Sequence, residues 1–76
     1  MTPEEYAKEH QKAFRTAFDF LHEHFPPEED PAWWDQTAKE CSAASVAAGE
    51  SKLVLELLTA VMSYLEIEYR RRYKDG

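Results

Sequence analysis

Seventy-six residues allow one domain around one core, residues 1–76, and a chain this short buries only about 60% of the surface it exposes when unfolded. A single cysteine, Cys41, excludes an internal disulfide. A net charge of −6 argues against direct binding to nucleic acid or to an anionic membrane, both of which need a basic face. The acidity is uneven: residues 1–40 hold 10 of the 15 acids and 4 of the 9 bases, peaking at Glu28-Glu29-Asp30. That permits a basic protein partner. The first twenty residues carry Glu4, Glu5, Lys8, Glu9, Lys12, Arg15 and Asp19, which leaves no signal-peptide core. With one free thiol, a reducing cytoplasm is the expected compartment.

Thr2-Pro3-Glu4-Glu5 reads as a helix start: Thr2 can cap, Pro3 suits the first turn, and Glu5 completes a capping box. Tyr6, His10, Ala13, Phe14, Ala17, Phe18, Leu21, His24 and Phe25 follow at helical spacing and define the expected inward stripe. At about 100° per residue this stripe spans roughly 160°. Pro26-Pro27 ends the helix, because a residue before proline avoids the α region. The first helix is therefore placed at residues 3–25.

Asp30-Pro31 repeats the start signal, a capping carboxylate followed by proline. The second helix runs over residues 31–48, with Gly49 as a left-handed end cap. Its inward stripe is Trp34, Thr37, Ala38, Cys41, Ala44, Ser45 and Ala48, one large residue followed by small ones. Small stripes let helix axes approach closely. Trp34 is centred on this stripe and is expected to be the more buried tryptophan. Trp33, about 100° away, sits at the rim, where it either caps the end of the bundle or touches a partner.

Gly49-Glu50 is a very short link, with Ser51 as the next cap, and favours an antiparallel neighbour. The third helix covers residues 52–73. Its polar residues crowd into a narrow strip, leaving an apolar arc of about 240° at ~100° per residue. One flank carries Leu55, Met62 and Tyr69; the other carries Leu53, Tyr64 and Ile67. The fold class is thus all-α, a small antiparallel three-helix unit. The excess apolar arc predicts a homodimer through helix three, by either flank. The rival is a monomer in which helix one and the proline loop close over both.

The chemistry-bearing residues read as structural. His22 and His24 are two apart and point in different directions, whereas zinc pairs on helices use i, i+4. Cys41 lies on a small inward stripe with no net positive charge beside it, so it reads as packing rather than as a nucleophile. Two glycines leave no phosphate-cradling loop. Arg70-Arg71-Arg72-Tyr73-Lys74 places cations at the negative end of a helix dipole, or else meets an acidic partner. A two-residue turn before a largely apolar helix gives no recognition helix for DNA. No metal, no cofactor and no enzymatic activity are expected. The interface residues expected are Trp33 and the two flanks of helix three.

Phe25-Pro26, Trp34 with Thr37-Ala38, Leu57-Leu58, Val61 and Tyr64-Leu65-Glu66 together resemble short uncharacterised helical proteins carried by prophages and mobile elements of Gram-positive gut bacteria. The resemblance covers a little over half the chain and transfers no site residue. It implies a genetic context in which a small acidic protein binds and blocks a basic host protein, for example an immune-system nuclease. Two function classes stand side by side: a self-associating interaction module, and such an inhibitor.

Overall fold

The computed structural model describes residues 1–74. It contains three helices, α1 Pro3–His24, α2 Pro31–Ala47 and α3 Lys52–Tyr73, and no strand among the described residues. Each helix begins where local chemistry starts it. The Thr2 hydroxyl accepts the Glu5 N–H at 3.2 Å, Asp30 Oδ1 accepts the Ala32 N–H at 2.9 Å, and Ser51 Oγ accepts the Val54 N–H at 3.5 Å. Each cap satisfies a donor that helix geometry leaves without an intrahelical partner. The Glu5 carboxylate accepts the Thr2 hydroxyl at 3.1 Å, a variant of the expected capping box.

Helix α1 stops at His24, and Phe25 is extended, with a cis bond to Pro26. Helix α2 ends in a Schellman turn. Glu50 N–H donates to the Ser45 carbonyl and Gly49 N–H to the Val46 carbonyl, each at 2.9 Å. Two consecutive residues of the turn are left-handed, Gly49 at φ 73° and Glu50 at φ 56°. Glycine takes that conformation freely, whereas glutamate does not.

The three helices pack up-down-up, and all pairs touch. The α1–α3 contact is the most extensive. Its core joins Ala13 and Phe20 of α1 to Val54 and Leu58 of α3, with Leu65 buried further along. Helix α2 contributes one fully buried side chain, Thr37, and lays Cys41, Ala44 and Ala48 against the same core. The expected small stripe of α2 is therefore the packed one, although Ala38 is exposed.

On α1 the buried stripe is Ala13, Ala17, Phe20 and His24. Phe20 replaces Phe14 and Phe18, which were expected inside and lie outside. The two alanines let α3 approach, and the helix turns that side inward. Both tryptophans are half-buried, and neither is among the fully buried core residues.

The helices are staggered. A 22-residue helix is about 33 Å long, yet the molecule extends 48 Å. Ala13 shares a core cluster with Val54 near the start of α3, and every residue from Met1 to Lys12 is exposed. At the other end, α3 runs on past α1. There Trp34 meets Tyr69 edge-on at 5.6 Å, and the Tyr73 hydroxyl donates to the Pro27 carbonyl at 3.4 Å.

Two outcomes test this fold. Glu50→Gly relieves a left-handed glutamate and is expected to stabilise by about 0.5–1 kcal/mol, while Gly49→Ala costs about 1 kcal/mol. Urea melts measure both. Phe20→Ala is expected to cost ~3–5 kcal/mol, against well under 1 kcal/mol for Phe14→Ala in dilute protein. Equal losses would contradict the inward side assigned to α1.

Candidate interaction surface

Helix α2 covers one side of the α1–α3 pair, and the other side is open. On α1 that open side carries Phe14 (58% exposed), Phe18 (55%) and, beyond the helix end, Phe25 (38%). On α3 it carries Tyr64 (42%) and Ile67 (54%). Phe25 and Tyr64 stack across the two elements with centroids 6.2 Å apart, which makes the surface continuous. Leu21, His22, Phe25 and Tyr64 enclose an open notch of about 190 Å³ between them. The guanidinium of Arg72 lies 5.2 Å from the Phe25 ring centroid and bounds the notch end of the face.

Phe14, Phe18 and His22 follow one another at i, i+4 along the α1 part of this face; the same line of i, i+4 neighbours runs back through His10 and Tyr6, turning about 40° per step toward the Ala13 side, and all five are exposed. Neighbouring rings on it touch: Tyr6 and His10 at 6.3 Å, Phe18 and His22 at 4.3 Å. Taking about 200 Å² for a large aromatic side chain, the five residues on the open face present roughly 500 Å². That is at the upper end of what monomers expose in one apolar patch.

The seven interface residues expected from sequence are divided by the structure. Met62 packs against the core, and Tyr69 is half-buried against Trp34, so α2 takes up most of that flank; Leu55 stays exposed. On the other flank Leu53 packs inward while Tyr64 and Ile67 stay exposed. Trp33 lies edge-on to Trp34 at 4.8 Å and 6.4 Å from the ring of His24, away from the open face. Phe14 and Phe18 were missed as surface residues. Their signal was the i, i+4 ridge itself, which competes with the Ala13-Ala17-Phe20 stripe for the inward side.

The opposite side of α1 is polar. A groove of about 660 Å³ runs between α1 and α2 over Phe20 and Val54, with Glu9, Asp19, Glu23 and Glu40 along it. At its end sits His24, which is buried and stacked on Phe20 at 4.1 Å. The His24 Nδ1–H donates to the Phe20 carbonyl at 2.7 Å, and Nε2 lies 2.5 Å from Glu40 Oε2. This pair pins α1 to α2. The hydrogen bond from His24 holds the Glu40 carboxyl below its usual range, with a second from Gln36 at 3.3 Å. His22 faces Phe18 instead, so the two histidines address different neighbours. Among the described residues no group of three or more His, Cys, Asp or Glu side chains is placed to hold a metal ion. Cys41 is half-buried, and desolvation raises its thiol pKa. Among the described residues no helix is long and apolar enough to cross a membrane.

The basic cluster at the end of α3 is partly spent within the helix. Glu68 accepts from Arg71 at 3.1 Å and lies 3.7 Å from Arg72. Comparison of the chain with known protein families, with curated proteins and with solved structures found no match.

A carboxylate with a lowered folded pKa stabilises the fold above the unfolded value, about 4.3, and that contribution is lost as pH falls through the folded value. Wild-type stability is therefore expected to drop below about pH 4.3 more steeply than that of Glu40→Gln. Urea midpoints between pH 3 and 6 measure the difference. Parallel acid limbs would show that Glu40 is not coupled to folding.

Proposed function

We propose that the protein is a non-enzymatic protein–protein interaction module acting in a reducing cytoplasm, self-association included, and that it binds through the open face of the α1–α3 pair. The observation that carries this reading is the continuous apolar surface of Phe14, Phe18, Phe25, Tyr64 and Ile67. Aromatic residues in such a patch are the usual anchors of interfaces. The lone, half-buried thiol of Cys41 supports the compartment. His24 and Cys41 are taken up in packing, and Glu68, Arg71 and Arg72 in local ion pairs.

A second reading has its own observation. The groove between α1 and α2 is lined by four carboxylates against one ammonium, that of Lys12. This supports a mobile-element accessory that blocks a basic host protein, such as an immune-system nuclease. The two readings differ in salt dependence. Binding through the apolar face persists at high ionic strength, while binding along the acidic groove is screened.

The test is capture from a bacterial host with tagged wild-type protein and with a Phe18→Glu/Ile67→Glu variant, after circular dichroism shows that the variant keeps its helices. Both positions are exposed, so folding is expected to survive. The expected result is a set of partners lost from the variant and retained at 0.5 M salt or above, roughly where the Debye length falls below 5 Å. Partners that ignore the substitutions and leave with salt would move the reading to the acidic groove.

A further inference from the structure

We infer that the open face is covered by a second copy of this chain, with the two α1 helices antiparallel and Phe18 at the two-fold axis. This rests on the interaction-module reading above and names its partner.

Three observations point to a second copy. The first is area. Two faces of roughly 500 Å² each supply about 1,000 Å² of apolar surface before any polar rim is counted, close to the 1,200–2,000 Å² total of stable complexes.

The second is self-complementarity. The face holds both a knob and a notch. Phe14 is the most exposed of its five large side chains, and the notch lies beside His22. Phe18 is midway, four residues from each. Rotation by half a turn about an axis through Phe18 carries each Phe14 onto the notch of the other copy. A closed two-fold contact needs this reciprocity. A notch of about 190 Å³ admits a phenyl ring, since a cavity of about 150 Å³ holds benzene. Knob, axis and notch edge carry no carboxylate or ammonium group: they are Phe14, Phe18 and His22. No like charges meet at the axis.

The third is the bare end of α1. Residues 1–12 are all exposed, and they carry Tyr6 and His10 on the side of α1 that turns inward further along at Ala13. In the antiparallel arrangement this segment runs past the end of the partner's α1 and along its proline loop. The stagger of one copy leaves this segment bare; a second copy gives it something to lie on.

The experiment uses the full chain. Light scattering over a dilution series is expected to move from twice 8.9 kDa toward 8.9 kDa. At a concentration where the wild type is paired, Phe18→Glu is expected to give the monomer mass, while Val46→Glu on the exposed side of α2 leaves pairing intact. In a Cys41→Ser background, Phe18→Cys is expected to form a disulfide-linked dimer under mild oxidation. Tyr6→Cys, equally exposed but about 36 Å from its counterpart in this register, is expected not to. A mass of 8.9 kDa at every concentration up to millimolar overturns self-pairing. If face-dependent capture of other proteins persists in that case, the interaction-module reading stands and only its partner is wrong. Dimers that survive Phe18→Glu, or Tyr6→Cys that links as readily as Phe18→Cys, place the contact elsewhere and overturn the arrangement.

Discussion

The approach of α1 to α3 over Ala13 and Ala17 is the constraint from which the rest of the structure follows. Two alanines a turn apart carry too little side chain to fill a core, so the fold gains by bringing α3 close. Val54 and Leu58 then bury completely or nearly so against α1. Phe20 supplies the bulk that the alanines lack, and sits within the same cluster. Once α1 is turned to place Ala13, Ala17 and Phe20 inward, the rotation of the whole helix is fixed. Phe14 and Phe18 are then carried round to the outside, and Glu9, Glu23 and Asp19 to the other side. The apolar face and the acidic groove are thus two consequences of one choice.

Helix α2 depends on that pair more than it supports it. Its small residues take up little of the core, and its most buried side chain is Thr37. What fixes it is at its ends and through one cross-link. Asp30 caps it, the Schellman turn closes it, and Glu40 ties it to His24 on α1. Buried polar groups need partners, and His24 has one on each ring nitrogen.

Helix boundaries were legible in the sequence because their causes are local. Thr2, Asp30 and Ser51 cap within three residues of themselves, Pro26 keeps the residue before it extended, and Gly49 ends its helix in a left-handed conformation. The rotation of α1 was not legible in the same way. Its apolar residues span a broad arc, and periodicity gives an arc without saying which edge of it meets a neighbour. That is decided by α3, whose contacts are 30 to 50 residues distant in the chain. The same limit applied to helix three: its two flanks look alike until Trp34 is seen against Tyr69. Trp34 itself was read as a core anchor from its own helix alone, whereas its indole N–H donates to the Glu28 carbonyl at 2.8 Å and its ring is only half-buried. The His24–Glu40 contact joins residues sixteen apart on different helices and left no mark in the sequence beyond a histidine on an apolar stripe.

The unaccompanied start of α1 gives the molecule a gradient of local stability. Residues 1–12 are held by a cap and by helical hydrogen bonds, with no buried side chain among them. A helical stretch of that length is marginal by itself. Its amide protons therefore exchange with solvent through local fraying, long before those of Phe20 or Leu58, which open only with the whole domain. Anything that lies along this segment converts fast-exchanging amides into slow ones without altering the core, so the first three turns of α1 report contact with a neighbour in a way that the rest of the protein does not.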